Sequence, residues 1–519
     1  MELPTHVRQS NQSHSARVIG ISTLIGVVAG LFCVLYRLML TEAEELCFAL
    51  YAWVGNNRLY MPVLFVALAL TGYLIGRLVE QYPLISGSGI PQVKATIMGH
   101  IRGTWLSTLL AKLVGGTVAV LSGLSLGREG PSIQLGACVG QGISRRFATS
   151  KTERRIYIAS GASAGLAAAF NAPLSGVMFA LEEIFKYFSP MILLSTMVAA
   201  ISADFISKVF FGITNVFSFE ITQSIPIAYY WLFLILGCIL GCSGVVYNLC
   251  LVKAQKVYKS MKNIPLRIRM IIPFVCAGVL GLTFPVVLCG GHSIIEELNV
   301  TTSITFLVVA LVVKFFFSMV SFGSGAPGGI FFPLLVLGAT IGAIFAKIVI
   351  PMTALDETLF YNFVIIAMAG YFTAIVRAPL TGIVLLVEMT GSLSQLLPLI
   401  LVSAVAYVVA EELGNKPVYE SLLESLLESR GIHSDPVDKT KILVETIVQY
   451  GSVMEGKAVR ELDLPSCSLI VSIKRGDYDF TPNGSIVIQA GDYLTVLTSV
   501  SNELAVRDSL AGLTSERKG

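Results

Sequence analysis

The stretch Ala172-Pro173-Leu174-Ser175-Gly176-Val177-Met178-Phe179-Ala180-Leu181-Glu182 returns 206 residues later as Ala378-Pro379-Leu380-Thr381-Gly382-Ile383-Val384-Leu385-Leu386-Val387-Glu388. Upstream, Pro131, Gly136 and Gly140 return as Pro333, Gly338 and Gly342, an offset of 202. Both upstream copies read Pro-x4-Gly-Ala-x-(Val/Ile)-Gly. Two matches in one order, with nearly equal offsets, mark a duplicated half. These residues leave open whether the copies run parallel or inverted.

Around the repeat the chain is strongly apolar. Of 519 residues, 54% are apolar and 13% charged, and the mean hydropathy is +0.76. Soluble domains carry about 25% charged residues, so a soluble surface of this size is excluded. Gly is abundant, with 47 residues, as in close-packed membrane helices. The chain reads as a polytopic membrane protein, not a cytosolic enzyme, a secreted domain or a nucleic-acid binder. The uncharged run Val18–Tyr36 is long enough to span the bilayer, and no cleavage site follows it. It is read as a retained first helix after a polar segment, 1–16. Later runs include Leu113–Leu126, Leu298–Val313 and Phe315–Ala346. Some are too long for one span and others too short, the pattern of discontinuous helices in transporters. Basic clusters at Arg145–Arg155 and Lys253–Arg269 mark cytoplasmic loops. The nine cysteines are scattered and form no Cys/His cluster. They read as small buried hydrophobes, with no metal site.

Residues 411–519 differ, with 17 acidic and 11 basic groups. Alternating apolar residues in Ile442–Val448, Leu469–Ile473, Ile486–Ile488 and Leu494–Leu497 predict strands. The turn signals Arg475-Gly476-Asp477, Pro482-Asn483-Gly484 and Gly491-Asp492 separate the later ones, and short helices fit Gly456–Leu462 and Asn502–Leu510. The expected organisation is a membrane domain over 17–421, a linker over 422–438 and a small α+β domain over 439–519.

Three Gly-rich segments end in Pro and lead into apolar helices. They are Gly87-Ser88-Gly89-Ile90-Pro91, Gly127-Arg128-Glu129-Gly130-Pro131 and Gly325-Ala326-Pro327-Gly328-Gly329-Ile330-Phe331-Phe332-Pro333. Pro suits the first turn of a helix, and glycines let backbone N–H groups approach a ligand. Helix N-termini carry unpaired N–H groups and partial positive charge. Converging in the membrane, they would bind an anion weakly enough to release it. Ser88 adds a neutral hydroxyl, and Ile330 and Phe331 backbone amides. One such segment alone would be a tight turn at a helix contact. Three, with two at equivalent repeat positions, favour an anion site. Glu129 is a carboxylate at such a start, able to occupy the anion site itself and to leave it when protonated; the bland alternative is an ion pair with Arg128. Glu182 has a repeat counterpart in Glu388, which suggests a shared structural role. Glu183 matches Met389 and breaks the repeat, so it is the better candidate for carrying protons.

These segments closely resemble the CLC family of chloride channels and chloride/proton exchangers, over roughly residues 17–425. The resemblance implies an all-α, inverted-repeat membrane fold of about eighteen partly broken helices, assembled as homodimers with one anion path per subunit. It implies that Ser88, the amides of Ile330 and Phe331, and the Tyr419 hydroxyl hold chloride. Tyr419 by itself would read as an interfacial anchor. Glu129 matches the external gating glutamate and Glu183 the internal proton glutamate, which channels usually replace with an apolar residue. Chloride and protons are then cargo, and no cofactor is implied. Phe332 stands where many bacterial relatives have Ala, with little effect expected. Ser88 argues against nitrate-preferring plant relatives, which carry Pro there. The forms of the first two motifs and Tyr419 argue against the fluoride-exporting branch.

Gly456–Pro465, Leu469–Arg475, Pro482-Asn483-Gly484 and Ala490-Gly491-Asp492 resemble the RCK C-terminal (TrkA-C) domain. That resemblance implies a regulatory dimer and, as in some such domains, a cyclic dinucleotide such as cyclic di-AMP as ligand. The fused pair points to a bacterial plasma membrane with both termini cytoplasmic. A passive chloride channel is the competing reading. An intramembrane serine protease built on Ser88 lacks a base. None of His6, His14, His100, His292 and His433 sits in the paired position within a long apolar run that a helix-based dyad needs.

Overall fold

The computed structural model describes residues 5–213, 216, 217, 219, 223–353, 355–432, 441–465, 468–476, 478–499 and 502–514, with backbone alone for 5–14 and Leu504. Residues 433–438 of the expected linker, with His433, and Cys467 and Asp477 lie outside the described residues, as do the side chains of His6 and His14. The chain divides into two compact units, Met1–Arg430 and Gly431–Gly519.

The first unit is helical. Its first half holds α1 (Thr5–Asn56), α2 (Met61–Gln81), α3 (Ile90–Met98), α4 (Trp105–Leu121), α5 (Glu129–Phe147), α6 (Lys151–Phe170), α7 (Pro173–Phe179) and α8 (Pro190–Phe211). A π-helical turn, Ala180–Phe185, follows α7. Then come α9 (Trp231–Ser260), α10 (Leu266–Arg269), α11 (Ile271–Thr283), α12 (His292–Glu296) and α13 (Ile304–Gly323). The unit closes with α14 (Phe331–Thr353), α15 (Phe360–Val376), α16 (Pro379–Thr390), α17 (Leu396–Glu412) and α18 (Val418–Glu428). Eight helical segments among the described residues are long and apolar enough to cross a membrane. The nine residues of α3 and the seven of α7 are not, since at about 1.5 Å per residue they fall far short of ~30 Å. They are broken helices, as the mixed run lengths suggested.

Three boundaries differ from expectation. The backbone is already helical at Thr5, so the segment 1–16 is not separate from the first span. Charges after Tyr36 end the uncharged run but not α1. Arg37 is satisfied by the Asn171 side chain at 3.0 Å and lies over the Phe211 ring at 3.9 Å. At the far end the membrane unit runs past residue 421, because α18 buries Val418, Tyr419, Leu422, Leu423 and Leu427.

The duplication sets the packing. A Cβ on Gly136 or Gly140 of α5 would strike the backbone of α6, and one on Gly338 or Gly342 of α14 would strike α15. Small residues at these paired positions let the helices approach closely. Between the copies, Glu388 accepts from Leu174 N, Ser175 N and Ser175 Oγ at 2.9, 2.8 and 2.6 Å. Reciprocally, Glu182 accepts from Leu380 N, Thr381 N and Thr381 Oγ1 at 3.1, 2.8 and 2.8 Å. Each repeat thus caps the first turn of the other's Pro-initiated helix, where free N–H groups favour a carboxylate. Such reciprocity is what a two-fold relation between halves produces.

The second unit is a four-stranded antiparallel sheet in the order β1-β4-β2-β3, with β1 Lys441–Ile447, β2 Leu469–Arg475, β3 Tyr478–Phe480 and β4 Tyr493–Ser499. Its core gathers Val444, Ile470, Ile473, Leu494 and Val496 with Val506 and Leu510 of α19 (Glu503–Thr514). The helix expected over Gly456–Leu462 is only a 3-10 turn at Val459–Glu461. Its backbone pairs instead with the expected strand Ile486–Ile488: Gly456 N donates to Ile488 O and Val459 N to Ile486 O, both at 2.9 Å. Arg475 binds the buried Asp492 through two 2.7 Å hydrogen bonds, which push its guanidinium above the ordinary value.

Candidate functional site

The three Gly-rich segments interlock in the first unit. Gly127 and Gly329 exchange N–H···O bonds of 2.7 and 2.8 Å, which sets the starts of α5 and α14 side by side. These glycines are counterparts at offset 202. Gly87 donates to Gly325 O at 3.3 Å, and Gly328 donates to Gly87 O at 3.1 Å, which adds the start of α3. Gly130 rests on Ser88, where a Cβ would come within 2.8 Å of the Ser88 carbonyl. Gly89 has φ +95 and packs against Gln134, so an L side chain there would be both strained and obstructed. Ser88, Glu129, Ile330 and Phe331, read separately from the sequence, are therefore neighbours and buried. The first N–H groups of each helix have no intrahelical acceptor. What they surround is a buried spot rich in donors.

Ser88 is 2% exposed, and its Oγ accepts from Ile90 N at 3.2 Å. Phe331 is locked between Phe170 and Phe372, at ring distances of 5.3 and 4.7 Å. Tyr419 is fully buried on α18, and its hydroxyl has no hydrogen-bond partner among the described residues. Glu129 is also fully buried. Its amide neighbours include Phe332, Arg128 Nε lies 3.9 Å from Oε1, and neither carboxylate oxygen has a well-formed hydrogen bond. At 3.9 Å that ion pair is loose.

Two cavities approach this spot. One of about 490 Å³ is lined by Gly87, Ser88, Pro91, Phe322, Lys259 and Arg430. The other, about 20 Å³, is lined by Arg128, Glu129, Glu44, His292 and Phe332, room for roughly one water. Ser88 faces the first and Glu129 the second, with the interlocked helix starts between them.

Glu183 lies on the π-helical turn and points away from Glu182. Its Oε1 accepts from Lys94 Nζ at 2.7 Å, with side chains only 2% and 3% exposed. The two adjacent acids thus have separate tasks, one capping α16 and one buried beside a lysine.

Several residues escaped the sequence reading. Lys112 Nζ donates to Ile85 O at 2.8 Å and Gly87 O at 2.5 Å. Lys314, its counterpart at offset 202, donates to Val287 O and Cys289 O at 2.9 Å. Both are fully buried. They hold the loops before α3 and α12. In the sequence Lys112 and Lys314 bound apolar runs, yet they lie inside α4 and α13. Their shared offset, inside apolar surroundings, was the usable signal. Lys94 gave no such signal. Phe332 stacks on His292 at 3.9 Å and lines the smaller cavity.

Comparison with known proteins fits this geometry. A family profile described as voltage gated chloride channel matches residues 71–411, and a TrkA-C domain profile matches 443–511. The H(+)/Cl(-) exchange transporter ClcA of Vibrio campbellii is 34% identical over 443 residues, 82% of this chain and 92% of that protein. The protein of the same name from Klebsiella pneumoniae is 32% identical over 423 residues, 79% and 89% of the two. The solved structure of a slow cyanobacterial Cl-/H+ antiporter superposes with TM-score 0.74 at 29% identity, covering 80% of this chain and 99% of that one. A CLC-type fluoride/proton antiporter superposes with TM-score 0.66 at 22% identity, covering 78% and 97%, a likeness of fold.

Proposed function

The chain belongs to the voltage-gated chloride channel (CLC) family, and on that premise we propose that it is a membrane transporter exchanging chloride for protons. Chloride binds where the starts of α3, α5 and α14 meet, with the Ser88 hydroxyl, the Ile330 and Phe331 amides and the Tyr419 hydroxyl as donors. Dipoles and hydroxyls lower the cost of a desolvated anion without trapping it as a contacting ammonium would. The remaining residues of the three motifs, Gly87, Gly89, Ile90, Pro91, Gly127, Arg128, Gly130, Pro131, Gly329, Phe332 and Pro333, shape these starts.

Glu129 is the gate. Ionised, its carboxylate competes with chloride for the same N–H groups. Protonated, it loses that attraction, moves aside and carries its proton toward the smaller cavity. Glu183 exchanges protons on the other side. The observation that carries the reading is Glu129, fully buried at a helix start on the smaller cavity with only a loose cation beside it. A passive channel would need no second buried acid, and Glu183 favours exchange. We further propose a homodimer in a bacterial plasma membrane, both termini cytoplasmic, with the TrkA-C domain regulating transport through a cyclic dinucleotide such as cyclic di-AMP.

The test is reconstitution in vesicles with an outward chloride gradient and simultaneous recording of both ions. The wild type should drive protons against their gradient. In Glu129→Gln, chloride should flow without proton coupling. Chloride flow with no proton movement in the wild type would favour the channel instead.

A further inference from the structure

Lys94 lies in α3, one turn beyond the loop that carries Ser88, and is 2% exposed. Removing an ammonium from water costs several kcal/mol and is repaid only by a close partner. Its partner is Glu183 at 2.7 Å. The pair does not belong to the duplicated scaffold. At the repeat offsets Lys94 corresponds to Glu296 and Glu183 to Met389. The scaffold charges Lys112, Lys314, Glu182 and Glu388 all have like counterparts. α3 is short and bounded by Gly89 and Gly99, with φ +95 and +86. Its first turn supports Ser88 and its second holds Glu183.

Resting on the reading of Glu183 as proton carrier, we propose that Lys94 is a positioning residue for proton exchange. It keeps Glu183 aimed and ionised until a proton replaces the ammonium as the carboxylate's partner. That event releases α3 from the π-helical turn and is felt at Ser88. The other groups facing Glu183 are Lys186 and Glu182 from its own turn and Tyr419 from α18. Lys186 is engaged by Glu420, and Glu182 by the start of α16. Lys94 is thus the one cation here hydrogen-bonded to Glu183 among the described residues.

The experiment uses the full chain in vesicles, with both fluxes recorded across a pH series for wild type, Glu183→Gln, Lys94→Met, Lys94→Gln and Lys94→Arg. Lys94→Met should move the proton-coupling profile upward by about one pH unit or more, the effect of losing an adjacent opposite charge. Lys94→Arg should restore the wild-type profile. Should Lys94→Met fail to fold, Lys94→Gln keeps a donor without the charge and should show the same shift. A wild type that moves no protons overturns the exchanger reading itself. A coupled wild type, an uncoupled Glu183→Gln, and neutral Lys94 variants with unchanged profiles overturn the role of Lys94 alone.

Discussion

The two halves of the membrane unit share their scaffold and differ in their chemistry. Lys112 and Lys314 bind equivalent carbonyls, Glu182 and Glu388 cap each other's helices, and Gly136 and Gly338 make equivalent close contacts. At the site the symmetry fails. Ser88 corresponds to Gly290, Glu129 to Phe331, Glu183 to Met389 and Lys94 to Glu296. Positions kept by both halves hold the fold. Positions that differ include Ser88, Glu129 and Glu183, the residues proposed to handle the anion and the proton.

The largest effect that would break this division concerns the adjacent acids. Glu183→Gln should abolish proton movement while chloride still flows in the vesicle assay. Glu182→Ala should leave the coupling ratio intact and lower stability by about 2 to 3 kcal/mol, because two amides and a hydroxyl lose their acceptor. Equal uncoupling by both would erase the distinction. Next, Lys112→Met and Lys314→Met should each cost on the order of 3 kcal/mol, since each strands two buried carbonyls, measured by thermal unfolding in detergent. A fall in chloride affinity confined to Lys112→Met would move that residue from scaffold to site.

A smaller effect is expected in the second unit, where Arg475→Ala should cost on the order of 2 kcal/mol by leaving Asp492 buried and unpaired, seen in thermal unfolding. Hydrogen bonds to Asp492 raise the Arg475 guanidinium above its usual value. Its contribution is therefore fully present below the ordinary arginine range and is lost only as pH rises through it. The difference from wild type should be flat between about pH 7 and 10. The smallest effect is Tyr419→Phe, which should weaken chloride binding by about 1 kcal/mol, roughly fivefold, by calorimetry. An unchanged affinity would demote Tyr419 to packing.

Much of this was legible in the residues because duplication and Gly/Pro punctuation are local. The offset repeats, the three helix starts and the asymmetry of Glu183 against Met389 need no coordinates. The partner of Glu183 was not legible, since a lysine in an amphipathic nine-residue helix looks solvated until α3 is placed against the π-helical turn. The reciprocal caps were half legible: matched acids suggested a structural role, but the donors they accept from lie in the opposite repeat. In the second unit, Gly456–Leu462 read as helix because its spacing allows one, whereas long-range pairing with Ile486–Ile488 claims its backbone.

The most direct test is the anomalous signal of bromide in crystals of the wild-type protein grown or soaked with that ion. A peak is expected between the Ser88 and Tyr419 hydroxyls, facing the amides of Ile330 and Phe331. A well-ordered site there with no bromide, or bromide found only at surface lysines, would contradict anion binding by these helix starts.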